Sequence, residues 1–121
     1  METLFSIPFL SSFLGGLHDI FEIRNKTSFY AGKNAVILYG QLGKQAEAQE
    51  LLKQIIENYQ NEEQIDHAYF LLANNYKDQK DLARALALYE EILFRFPTSL
   101  YTELSRKYAR EIDAQIKENL N

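Results

Sequence analysis

The sequence predicts an all-α protein, an array of antiparallel helical hairpins. Three observations carry this expectation. From about Ser28 onward apolar residues recur at helical spacing. Breakers are few, with five glycines and two prolines in 121 residues. Two consecutive segments between Asp66 and Ser99 each repeat the i, i+3, i+4, i+7 pattern that gathers apolar side chains on one helix face.

The first element is an apolar leader, assigned to residues 1–27. Residues 1–23 hold twelve apolar side chains, four of the eight phenylalanines among them, and no Lys or Arg. A secretory signal would place basic residues before the apolar run. A membrane span needs roughly 20 apolar residues, and here Pro8 opens the run and Gly15-Gly16 interrupts it. The residues instead predict a short amphipathic helix with Pro8 in its first turn, where the missing N–H is harmless. Phe5 precedes it, and Phe9, Leu10, Phe13 and Leu14 share one face. Two roles stay open for this face, capping the helical array or docking on a protein partner.

The helical body is assigned to 28–121, with a first hairpin over about 29–62, a second over 66–99 and a final helix over 99–118. In the second hairpin, Tyr69, Leu72, Ala73 and Tyr76 mark one helix, and Leu82, Ala85, Leu86, Tyr89, Ile92 and Phe96 the next. Asp81 is placed to N-cap that next helix, and Pro97 ends it. Upstream, Tyr39, Ala48, Leu52 and Ile55 form a weaker copy, separated by about three extra residues near Asn61–Ile65. After Pro97, Thr98 or Ser99 is expected to cap a last helix. Its stripe of Leu100, Leu104, Tyr108, Ile112 and Ile116 would be buried, and its charged face solvated.

These residues resemble the tetratricopeptide repeat, a 34-residue helix–turn–helix unit. With Asp66 as position one, the pattern is met by Tyr69, Leu72, Ala73 and Tyr76, then by Ala85, Tyr89 and Pro97. Ile92 stands where the family prefers Ala, and in the first copy Val36 replaces the small residue at position eight. The resemblance implies a right-handed solenoid closed by a C-terminal capping helix. It also implies that positions two, five, nine, twelve and thirteen line a groove that binds protein. Those are Tyr30, Lys33, Ile37, Gly40 and Gln41 in the first copy, and His67, Phe70, Asn74, Lys77 and Asp78 in the second. A subtype that grips C-terminal carboxylates is not implied. Lys33 fits its pattern, but Ile37, Leu71, Tyr101 and Ser105 do not.

Composition limits the remaining functions. The formal charge is −4, and residues 24–121 are nearly neutral, which excludes a general electrostatic clamp for nucleic acid. With no cysteine there is no disulfide framework, thiolate metal site or cysteine nucleophile. The two histidines, His18 and His67, stand in no catalytic or metal-binding motif. No enzyme, cofactor or metal is therefore expected. The leading expectation is a cytoplasmic interaction scaffold, an accessory subunit of a larger complex that could be membrane-associated. It would be peripheral to the membrane and would bind through the groove and the leader. The alternative is a free peptide-binding adaptor whose leader folds back as a cap.

Overall fold

The computed structural model describes residues 28–120, and every regular element among them is an α-helix. Helix α1 covers 28–41, followed by α2 (Gln45–Asn58), α3 (Ile65–Asp78), α4 (Leu82–Arg95) and α5 (Thr102–Leu120). The chain divides into two compact units, Met1–Ala31 and Gly32–Asn121. Of the first, residues 28–31 are described; there the rings of Phe29 and Tyr30 meet edge to face at 5.4 Å. Phe5, Phe9, Leu10, Phe13 and Leu14 lie outside the described residues.

In the second unit α2 packs on α3, α3 on α4, and α4 on α5. Small side chains make the close crossings possible. Ala68, Ala73 and Ala85 are completely buried, and beside them Tyr89, Ile92 and Leu52 fill the core. In the α1–α2 hairpin the closest approach is made by Gly32, where a Cβ would lie 3.0 Å from Ile55 Cδ1. The bulky Tyr69 occupies the equivalent place in the second hairpin. The first copy therefore moves its small residue from position eight, taken by the buried Val36, to position four.

Both hairpins turn in the same way. Lys44 N donates to Tyr39 O at 2.8 Å and Asp81 N to Tyr76 O at 2.9 Å, each closing the end of a helix over a residue in the left-handed region. That residue is Gly43 (φ 75°) in the first turn and Lys80 (φ 66°) in the second. Asp81 then caps α4, its carboxylate accepting from Arg84 N at 3.4 Å and from the Arg84 guanidinium at 3.0 Å. The longer α2–α3 connection is held from two sides. Gln60 Nε2 donates to Ile56 O at 2.6 Å, and Arg95 reaches from the end of α4 to Gln60 Oε1 at 3.1 Å and Tyr69 Oη at 2.6 Å.

Two expectations for the last helix are corrected. It starts at Thr102, because Ser99 is used in the preceding turn, accepting from Tyr101 N at 3.1 Å and donating to Asp66 Oδ2 at 2.5 Å. Leu100 thus precedes the helix and is 92% exposed. The buried stripe consists of Thr102, Ser105, Ala109 and Ile112, one step around the helix from the expected Leu100–Leu104–Tyr108 line. Ile112 belongs to both, while Leu104 is exposed and Tyr108 and Ile116 are half-buried. Small residues let α5 lie close against α4. The positions equivalent to the inward face of α3 are the charged Glu103, Arg106, Lys107 and Arg110, a face suited to water.

A lysine with positive φ carries a steric penalty that glycine lacks. Lys80→Gly is therefore expected to raise the unfolding free energy by about 0.5–1 kcal/mol, and Gly43→Ala to lower it by about 1 kcal/mol. Urea denaturation of both variants checks this.

Candidate binding cleft

The faces of α1, α3 and α5 that carry the groove positions enclose two gaps of opposite character. Between α3 and α5 the gap is closed by aromatic rings. His67 stacks on Tyr101 with centroids 5.0 Å apart and planes 5° from parallel, and Tyr101 stacks on Phe70 at 4.8 Å. Phe70 continues to Tyr108 at 6.3 Å, and the Lys77 ammonium sits 3.5 Å from the centre of the Tyr108 ring. Tyr89 supports this stack from α4, 6.0 Å from Phe70 and 5.5 Å from Tyr108. Pairs of this kind contribute about 0.5–1.5 kcal/mol each beyond their burial.

Between α1 and α3 the gap stays open as a cavity of about 330 Å³. Val36, Ala48 and Leu52 provide its floor, all buried and apolar. Ile37 and Leu71 form apolar walls, and Gly40 keeps its α1 side low, since a Cβ there would have no atom within 4 Å. Gln41, Gln45, Asn74 and Asn75 bring amides to it, and Asp78 is the ionisable side chain of the lining.

The amides are set by the surrounding bonds. Asn75 is buried and committed, donating to Gln45 O and Oε1 at 3.0 and 3.1 Å and accepting from Gln79 at 2.6 Å. Asn74 accepts a short hydrogen bond from the Tyr89 hydroxyl. Burial, followed by the charges of Tyr108 and Asp78, pushes the Tyr89 hydroxyl well above its usual pKa, so it remains a donor. With its carbonyl oxygen engaged by Tyr89, Asn74 keeps its NH₂ for a ligand. Gln41, exposed on α1, brings a second amide to the cleft.

The groove residues expected from the sequence therefore separate. Ile37, Gly40, Gln41, Asn74 and Asp78 meet around the cleft. Phe70 is only 8% exposed and is spent on the aromatic stack, as are His67 and Lys77. Lys33 is 5% exposed and donates to Gln64 Oε1 at 2.8 Å, away from the cleft lining. Tyr30 belongs to the described part of the first unit. Not anticipated were the floor residues Ala48 and Leu52, the wall residue Leu71, and the ring pair Tyr101 and Tyr108. The last two stand one 34-residue repeat after His67 and Asn74, so carrying the groove positions into α5 identifies them. Among the described residues no cluster of His, Cys, Asp or Glu is placed to hold a metal ion.

This architecture, two like-turned hairpins stacked through small residues with a further helix against the second, is that of a helical-repeat protein. A family model described as Tetratricopeptide repeat matches residues 35–61 and 67–99. The chain belongs to the tetratricopeptide-repeat proteins, whose repeats serve as protein–protein interaction scaffolds. No significant match was found among curated proteins or solved structures.

The aromatic stack makes stability depend on pH through His67. Burial, then the charge of Lys33, lower its pKa from 6.5, against the opposing pull of Asp66. The unfolded chain therefore takes up the proton more readily, and the His67 contribution to stability is lost as pH falls below 6.5. The drop in unfolding free energy between about pH 7.5 and about pH 5.5 should be smaller in His67→Gln than in the wild type. Equal drops in parallel urea titrations would exclude this role.

Proposed function

We propose that this protein is a binding scaffold that takes an extended peptide segment of a partner protein into the cleft between α1 and α3. The observation that carries this reading is the contrast between the two gaps. The α3–α5 gap is filled by the protein's own rings, whereas the α1–α3 gap offers an apolar floor beneath the amide of Gln41 and the NH₂ of Asn74. A volume of about 330 Å³ suits one large side chain and its adjoining backbone rather than a metabolite enclosed on all sides. The amides of Gln41 and Asn74, on opposite walls, have the donors and acceptors that an extended main chain requires. The protein works by binding alone, without cofactor or chemistry of its own.

Gly40 provides a clean test, because a side chain there enters the cleft without meeting the fold. Gly40→Leu should hold or raise the thermal midpoint, since leucine exceeds glycine in helix propensity by roughly 0.5–1 kcal/mol. The same substitution should weaken peptides selected from a displayed random library by about tenfold, or about 1.4 kcal/mol. Binding that survives it unchanged places the peptides elsewhere.

A second reading, an accessory subunit of a larger assembly, draws support from the exposed edge of α1. Leu38 and Leu42, one turn apart, are 55% and 62% exposed. In that case the protein attaches through this edge and through Phe5, Phe9 and Phe13 of the leader, at the cytoplasmic face of a membrane if the assembly resides there. No helix among the described residues is long and apolar enough to cross one. A chain lacking residues 1–16 should stay helical and monodisperse yet fail to co-purify with the assembly. Unfolding or aggregation of the truncated chain would count against outward docking.

A further inference from the structure

The chemistry of the cleft narrows the peptide it accepts. Resting on the peptide-binding reading above, we infer that the cleft selects a segment carrying a large apolar side chain next to, or one residue away from, a Lys or Arg. Two features of the lining lead there. The floor of Val36, Ala48 and Leu52 holds no polar side chain, so a polar group seated on it would lose water without gaining a partner. An apolar side chain on the same floor gains the full benefit of burial.

Charge decides the neighbouring residue. Asp78 is the ionisable group of the lining, and among the described residues no cation forms an ion pair with it. The preceding Lys77 is turned away and held over the Tyr108 ring at 3.5 Å, so it does not neutralise the rim. Asp78 is also the last residue of α3, where the partial negative charge of a helix C-terminus adds to that of its carboxylate. α1 ends beside the cleft as well, at Gly40 and Gln41. The N-terminus of α2 has Lys44 at its cap and Glu47 in its first turn, opposite charges that leave Asp78 as the charge of the lining. An acidic residue next to the apolar anchor would thus meet a like charge, and a basic one a partner. Asn74 and Gln41 bind the intervening backbone and add no preference for sign.

The test is a charge exchange. A random heptapeptide library displayed on phage is selected on the full chain, and a selected sequence is synthesised in Lys and Glu versions at the position beside the anchor. Wild type should bind the Lys peptide about fivefold more tightly than the Glu peptide, and Asp78→Lys should reverse the order. Asp78 is exposed, and circular dichroism of the variant checks that it folds. If both peptides bind both proteins equally while Gly40→Leu still weakens binding, the charge rule is overturned and the cleft remains the peptide site. If Gly40→Leu leaves the selected peptides bound, or if the library yields no peptides, the cleft reading itself fails.

Discussion

The hydrogen bond from Tyr89 to Asn74 is the contact on which both the packing and the site depend. Tyr89 is fully buried in α4, and a buried hydroxyl without a partner costs about 1–3 kcal/mol. That requirement is met on α3 by the side-chain oxygen of Asn74. The bond engages the amide oxygen of Asn74, a residue that also lines the cleft. The ring of the same tyrosine supports Phe70 and Tyr108, so the group that orients one wall of the cleft also seals the neighbouring gap. Asn74→Ala would change a wall of the cleft and orphan a core hydroxyl together. For this reason Gly40 and Asp78, which carry no such burden, separate binding from folding.

Much of the architecture was legible in the sequence because its signals are periodic. Tyr69, Leu72, Ala73 and Tyr76, then Ala85 and Tyr89, announce a hairpin by spacing alone, and the structure buries each of them. Asp81 could be read as a cap because its side chain acts three residues away. The start of α5 was not legible. Ser99 has the chemistry of a cap, but its hydroxyl is drawn across the repeat to Asp66, a contact between residues 33 apart. Local patterning contains no trace of that contact, nor of the face that α5 turns to α4, which buries Thr102, Ser105 and Ala109.

The directions of the repeat positions were legible to the same depth. Positions nine and thirteen of both copies, and twelve of the first, point to Ile37, Asn74, Gln41, Asp78 and Gly40, which line one cleft, whereas Lys77 at position twelve of the second lies over Tyr108. Positions two and five fail for a reason external to their own repeat. His67 and Phe70 would face a groove if α5 presented small or polar side chains, but it presents Tyr101 and Tyr108. Repeat positions describe direction; whether a side chain reaches a ligand depends on what the next helix offers.

The departures of the first copy from the repeat pattern then acquire a physical role. At position twelve the second copy has Lys77, whose long side chain lies across Tyr108, whereas the first has Gly40, which covers nothing. At position five the second copy has the stacking ring of Phe70, and the first has Lys33, withdrawn to Gln64. Gly40 leaves the α1–α3 gap open at the cleft, while Lys77 and Phe70 fill the α3–α5 gap. A regular array would have closed both gaps or opened both. Stability in this small unit comes from closing one, and the departures of the first repeat leave the other open.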